Sequence, residues 1–455
     1  MQVPKQQITR NAERSKCAFA CTINRHYYFI FLILLFLQTA EAQKVGPENP
    51  YVVIKNINII DVIAGKIRYH QKVVIKGSKI YYTGKSFKGR LPKGTPHFNG
   101  RGKFLSPGLW DMHVHICWDR HNDSLLFNVL LDHGITGIRD MGGDLNIMQE
   151  FKEEIKNGDI AGPEIYGAGP IIDGNPPVYK DFTIPVDNQT EVIPILDSLR
   201  LKGVDFFKTY SLIKEKQINQ IASYCKKNNF SFAGHLSEYI EPEISIDYGQ
   251  KSIEHLNRLE EIWHNNKIRS DQIAKLMIEH KTFLCPTLII YQLKTKIRDS
   301  TIINKSFEKY IPQSLKNEWE MVWKKRQNKR SAPEDLEKLT EEYYAQRELI
   351  KRYKSLGVKM MAGSDFAGMP YVYPGISLHQ ELKLLVDCGF TTAEALRTAT
   401  INPAIFMKKE KQYGTVVPGK FADLVIFSEN PLKKIENIDR IEAVILKGKL
   451  RKVSR

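Results

Sequence analysis

The stretch Phe104-Leu105-Ser106-Pro107-Gly108-Leu109-Trp110-Asp111-Met112-His113-Val114-His115 constrains this chain more than any other. An apolar run with turn residues leads into two histidines one residue apart. On a β-strand, side chains at i and i+2 face the same side. His113 and His115 can therefore aim two imidazoles at one point just past the strand end, an arrangement that one metal ion fits. A His-x-His by itself is a weak signal, as readily structural as ligating. Residues downstream decide it.

From about 105 to 408 the chain alternates strand-like and helix-like segments. Apolar, β-branched runs at 135–140, 164–169, 204–208, 230–235, 251–255, 282–287 and 358–365 join the His113 strand to make eight. Eight βα units are what a (β/α)8 TIM-type barrel requires. A Lys/Glu-rich helical insertion, about 292–345, separates the seventh strand from the eighth and reads as a lid or side bundle. The flanks differ from the middle. Residues 43–104 and 409–455 are rich in short β-branched runs punctuated by Gly and Pro. They predict one small composite β-sandwich built from both ends of the chain.

Composition bounds the rest. At 455 residues, 42% hydrophobic and 26% charged, the chain has the make-up of a globular protein with room for one large domain and an appendage. A net charge of +16 raises the question of nucleic acid. The Lys and Arg residues are scattered, however, and the densest run, Lys324-Lys325-Arg326-Gln327-Asn328-Lys329-Arg330, reads as a solvated helix face, so no nucleic-acid partner is expected. At the N-terminus, Arg10, Arg14, Lys16 and Arg25 precede an apolar run, 27–37, too short to span a bilayer comfortably. Ala40-Glu41-Ala42 then resembles a cleavage site. Residues 1–42 are expected to be a signal peptide cleaved near Ala42, exporting the protein to a periplasmic or extracellular space with no stable membrane span; an uncleaved anchor is the alternative. Cys117, Cys225, Cys285 and Cys388 would remain, in neither a metal-site nor a disulfide-framework spacing. They read as buried hydrophobes, with one long-range disulfide left open.

Chemistry in such barrels sits where strands end and βα-loops begin. Lys208, His235, His255 and Asp365 recur at those ends. His115 to Lys208 spans about three βα units of roughly 30 residues, and Lys208, His235 and His255 fit consecutive units. The polar set thus falls on strands one, four, five, six and eight of one rim. Each residue alone has an ordinary explanation: a snorkelling lysine, a helix cap, a hydrogen-bonded histidine. Five strand ends agreeing by accident is improbable. His70, His97, His121, His133, His264, His280 and His379 have no such support and read as surface or structural.

This pattern resembles the amidohydrolase superfamily with a binuclear metal centre. The residues carrying the resemblance are the 107–115 run, Lys208, Ala233-Gly234-His235, Ile253-Glu254-His255 and Ala362-Gly363-Ser364-Asp365, with the segments 391–404 and 414–424 similar to the family's C-terminal signature. The resemblance covers nearly all of 51–450. It implies that His113, His115 and Asp365 hold one divalent ion and that His235 and His255 hold a second. Lys208, carboxylated by carbon dioxide, would bridge them as a carbamate, since an ammonium has no lone pair to give. Zinc suits these ligands, with manganese or iron as alternatives. A bridging hydroxide would be the nucleophile, and Asp365 would take its proton and pass it to the leaving group.

The substrate is less legible. The Lys208-Thr209-Tyr210 and Cys285-Pro286-Thr287-Leu288 stretches resemble the imidazolonepropionase-like branch that includes Xaa-Pro dipeptidases, or prolidases. That resemblance implies a dipeptidase acting on dipeptides or other small molecules, exported if the N-terminal segment is a signal peptide. Tyr210 could donate to the carbonyl oxygen as charge develops, or merely pack at the rim. Arg258 and Arg139 are candidate partners for a substrate carboxylate. A cyclic amide, lactone or phosphotriester could use the same centre. A non-catalytic binding barrel is the remaining alternative, disfavoured because all six metal-site positions are filled. A homo-oligomer is compatible with the sequence.

Overall fold

A computed structural model describes residues 50–120, 124–330 and 332–453. The expected signal peptide, residues 1–42, lies outside the described residues, as does His121.

Strands β1 (Tyr51–Asp61), β2 (Lys66–Lys76), β3 (Lys79–Gly84), β4 (His97–Asn99) and β5 (Phe104–Pro107) precede the barrel. Strands β6 (Leu109–Val114), β7 (Ile135–Asp140), β8 (Glu164–Gly167), β9 (Ile171–Gly174), β10 (Thr183–Val186), β11 (Phe207–Thr209), β12 (Phe232–Gly234), β13 (Ser252–Glu254) and β14 (Phe283–Cys285) alternate with helices. Strands β15 (Leu424–Phe427), β16 (Ile441–Leu446) and β17 (Lys449–Lys452) follow.

The two ends do build one sheet. Its order is β17-β16-β15-β5-β1-β2-β3, with β4 alongside β1. β15 runs antiparallel to β5, Leu424 opposite Pro107 and Phe427 opposite Phe104. A bridge from Lys79 to Phe421 draws the β3 edge round towards the segment before β15. The composite is therefore a single ladder curled over its own core, which includes Ile54, Ile75, Leu105, Leu424 and Ile445. Gly108 marks the passage from this sheet to the barrel. A Cβ there would stand 1.9 Å from Thr136 Oγ1, so only glycine lets β6 lie against β7.

β6-β7-β8 and β9-β11-β12-β13-β14 are parallel ladders, with β10 outside on β9. The eighth barrel strand, about 358–366, is held by isolated bridges, Met360 to Leu284 and Phe366 to Val114, which close the ring between β14 and β6. Asp205 N–H donates to Gly167 O at 2.8 Å, joining β8 to the lead-in of β11. The (β/α)8 architecture follows from residue alternation. Trp110, Met112, Tyr166, Phe206, Ala233, Phe283 and Met361 fill the interior. Their neighbours Leu109, Ile165, Phe207, Phe232 and Leu284 pack outward against the helices.

The insertion is helical and packs over the barrel mouth. Helix Gln313–Lys329 buries Leu315, Trp319 and Trp323, and the two tryptophan rings meet Tyr371 and Tyr373 of the loop after the eighth strand. Helix Pro333–Leu356 runs well past 345, so insertion and barrel helix are one continuous element. No helix among the described residues is long and apolar enough to cross a membrane. Cys117, Cys225, Cys285 and Cys388 are buried free thiols.

Candidate metal centre

The strand-end residues singled out in the sequence converge. His113 and His115 Nε2 stand 3.5 and 3.6 Å from Asp365 Oδ1. The His113 ring lies 4.5 Å from that of His255, which lies 4.7 Å from that of His235. Lys208 is wholly buried on β11.

Each imidazole spends Nδ1 on an outer partner. His113 Nδ1 meets Glu254 Oε2 at 2.9 Å, His115 Nδ1 the Gly142 carbonyl at 3.0 Å, His235 Nδ1 the Ser211 hydroxyl at 3.1 Å and His255 Nδ1 the Thr287 hydroxyl at 2.6 Å. A carbonyl or carboxylate can only accept, so Nδ1 of His113 and His115 carries the hydrogen and Nε2 presents a lone pair. Outer partners of this kind fix the tautomer and aim of metal-ligating histidines.

The electrostatics agree. Burial, reinforced by the Lys208 cation, pushes His115 down to about 3 and holds His113 and His235 well below the usual histidine range. Burial, then the neighbouring His113, does the same for His255. All four are held in the neutral form. Burial also lowers Lys208 to about 8, against the pull of Glu254, and raises Asp365 to about 7, against the pull of Lys208. Two buried atoms of the site, His113 Nε2 and Lys208 Nζ, have no hydrogen-bond partner among the described residues. Orphaned polar atoms of this kind are costly unless something else engages them. The donors present fit a divalent centre.

Two donor groups share His113: His113–His115–Asp365 and His113–Glu254–Cys285. The first faces the barrel mouth. In the second, Glu254 already receives both Arg139 Nη2 bonds, at 2.9 and 2.7 Å, and the Ser252 hydroxyl. Burial pushes the Cys285 thiol well up, keeping it protonated. This second group braces His113 through Glu254.

The backbone is bent to make the site. Consecutive strand residues face opposite sides, yet His255 and Asp365 must both turn to the mouth after inward-bonded neighbours. Both adopt left-handed φ, 66° and 63°, a conformation that non-glycine residues hold at a cost and that clusters at functional sites. Before His235, Gly234 has φ 154°, and a Cβ there would lie 2.0 Å from Thr209 O. Asp111 anchors the eighth strand by accepting from Ser364 N–H and Oγ–H at 2.9 and 2.6 Å.

The other sequence candidates divide. Tyr210 stacks on His235, ring centroids 3.9 Å apart, and burial keeps its hydroxyl protonated beside Tyr179. Arg258 lies next to the His235–His255 side of the centre, with Nη1 donating to the Ser237 and Ile240 carbonyls. Arg139 is a correction. It is fully buried, donating from Nε to Met112 O, from Nη1 to Ser252 and from Nη2 to Glu254. It has no reach to a substrate. Sequence reasoning assigns no role to Trp118 or to Glu254, although Glu254 stands in the motif with His255 and its inward phase on β13 is a usable signal. Trp118 tilts against the His115 ring at 4.6 Å and lines a cavity of about 340 Å³ whose wall mixes aromatic Tyr179 and Phe182 with acidic Asp119, Asp181 and Glu318. That volume lies at the small end of ligand sites.

Known proteins place this architecture. The family model "Amidohydrolase family" matches residues 104–451. The adenine deaminase of Clostridium perfringens is 23% identical over 281 residues, 58% of this chain but only 48% of the deaminase, so the chain matches about half that relative's length. The ochratoxinase of Aspergillus niger is 21% identical over 403 residues, 75% of this chain and 73% of the relative. The solved structure of a putative prolidase from Bifidobacterium longum superposes with a TM-score of 0.71 at 21% identity, covering 90% of this chain and 97% of that one. The chain belongs to the amidohydrolase family, and the strand ends of its barrel carry a candidate metal-ligand cluster.

Proposed function

We propose that the protein is an exported dipeptidase, cleaving an amide of the Xaa-Pro type at a two-ion centre. The observation that carries the reading is the set of four tethered imidazoles converging with Asp365 and the orphaned Lys208 amine beside a small cavity. Zinc ions held there would polarise the scissile carbonyl and make hydroxide available near neutral pH. His113, His115 and Asp365 would hold one ion, and His235 and His255 the other. Lys208, partly neutral because burial lowers it to about 8, is suited to take up carbon dioxide and offer a carboxylate to both.

The remaining steps belong to side chains. Asp365 accepts a proton and returns it to the leaving nitrogen. Tyr210, kept protonated, donates to the carbonyl oxygen as it gains charge. Trp118, Tyr179 and Phe182 exclude water from the reacting amide. The resemblance to prolidases and the cavity's size favour a dipeptide over a larger chain, and the apolar 27–37 segment with its basic flank supports export.

Elemental analysis of the purified protein, with a panel of Xaa-Pro and other dipeptides, tests this. About two ions per chain and dipeptide cleavage are expected, both lost in Lys208→Ala. Metal without cleavage of any dipeptide would overturn the substrate, moving it to a cyclic amide, lactone or phosphotriester. No bound metal after reconstitution with bicarbonate would overturn the centre.

A further inference from the structure

Two half-buried cations from the insertion side of the barrel contact residues adjoining the candidate metal centre, and neither has an anionic partner among the described residues. Lys294 lies in the last turn of helix Leu288–Thr295, which starts directly after Thr287, the residue bonded to His255. Its Nζ stands 4.4 Å from the Tyr291 ring centroid. The Tyr291 hydroxyl accepts the Leu256 N–H at 2.9 Å and donates to Asn257 at 2.8 Å, fixing that ring to the residues following His255. Arg326 comes from helix Gln313–Lys329 and reaches the loop after Asp365, its Nη1 2.8 Å from Met369 Sδ. The Met369 N–H in turn donates to Asp365 O.

Neither cation forms an ion pair among the described residues, within the 4.0 Å that defines one. Lys294 faces Arg326 and Arg330 as like charges, with Asp365 and Glu342 opposing them; burial, aided by the two arginines, lowers it to about 8. Burial likewise pushes Arg326 down, against the pull of Tyr179 and Asp365. Asp365 is itself a candidate metal ligand, so its charge is not free to balance them. Both are half-buried, and partly desolvated, unpaired cations carry a cost that an arriving anion would relieve. The Tyr291 face compensates Lys294 only in part.

We propose that Lys294 and Arg326 form a subsite for an anionic group, a carboxylate on the substrate, at the insertion side of the centre. The subsite takes over the role that sequence position suggested for Arg139. Its assignment to a substrate carboxylate rests on the amide-hydrolase reading; anion binding itself does not.

The test is calorimetric binding of N-acetyl-L-proline and N-acetyl-L-prolinamide to the metal-reconstituted full chain, alongside dipeptide hydrolysis. The acid should bind about tenfold more tightly than the amide, as one charge-assisted contact gives. In Lys294→Met and in Arg326→Met that ratio should fall to within about threefold, with amide affinity changed less than about twofold, while Lys294→Arg keeps most of the preference. A ratio near one in the unaltered protein, or an unchanged ratio in both methionine variants, overturns the subsite. Acid preference without hydrolysis of any dipeptide supports the subsite and overturns the dipeptidase reading instead.

Discussion

Arg139 is the residue on which the interior of the barrel depends. Its guanidinium joins β7 to β6 through Met112 O and to β13 through Ser252 and Glu254, all buried. Glu254 in turn orients His113, so a misplaced charge here would propagate to the centre. Removing one member of a buried pair costs about 3–5 kcal/mol, because the other charge is left uncompensated. Arg139→Met should therefore lower unfolding stability by that order in denaturant titrations. A loss below about 1 kcal/mol would show that Glu254 is held another way. A side chain's position along the chain already fixes its place at a strand end, as for His113, Lys208 and Asp365. Position misled for Arg139 because a cation near a strand end reads as mouth-facing. Only its alternation with Ile138, which packs outward, says that it points inward.

At the scale of elements, the helix Gln313–Lys329 decides how the cavity is roofed. Leu315, Trp319 and Trp323 recur at helical spacing on its buried face, and Arg326 continues that stripe one turn on. The run 324–330, read from sequence as a solvated face, is thus only partly so: Lys324, Lys325 and Lys329 are exposed, whereas Arg326 turns inward. Charge density hid a periodicity that the two tryptophans carry. Trp319 is 2% exposed and meets Tyr373 edge-on with ring centroids 5.5 Å apart. Truncating a buried tryptophan costs about 3–5 kcal/mol. Trp319→Ala should lower stability by that amount and, by loosening the wall that includes Leu315, raise KM several-fold more than it lowers kcat. An unchanged KM would mean that the roof does not contact substrate.

At the scale of the whole molecule, the barrel is tied to a sheet that neither end of the chain can make alone. The eightfold βα rhythm and the strand-rich ends were legible because both are patterns of apolar residues. The curl of the sheet was not, since it depends on contacts such as Lys79 with Phe421 that carry no local signal. β15 lies between β5 and β16 in that ladder, so it is central and not an edge. Leu424, Val425, Ile426, Phe427, Ala443, Val444 and Ile445 are all at most 1% exposed. Even at the low end of about 1.5 kcal/mol for each large apolar side chain removed from water, their loss matches the whole net stability of an ordinary domain, about 5–15 kcal/mol. It would also strip β5 of its antiparallel partner and leave Leu105 and Ile54 facing solvent. A chain ending at residue 408 should therefore fail to fold although every residue proposed for the metal centre remains in it. Circular dichroism and gel filtration would show this as loss of cooperative unfolding and as aggregation. A soluble, cooperatively melting chain of that length would instead mean that the barrel's interior layers suffice and that the sheet is an appendage.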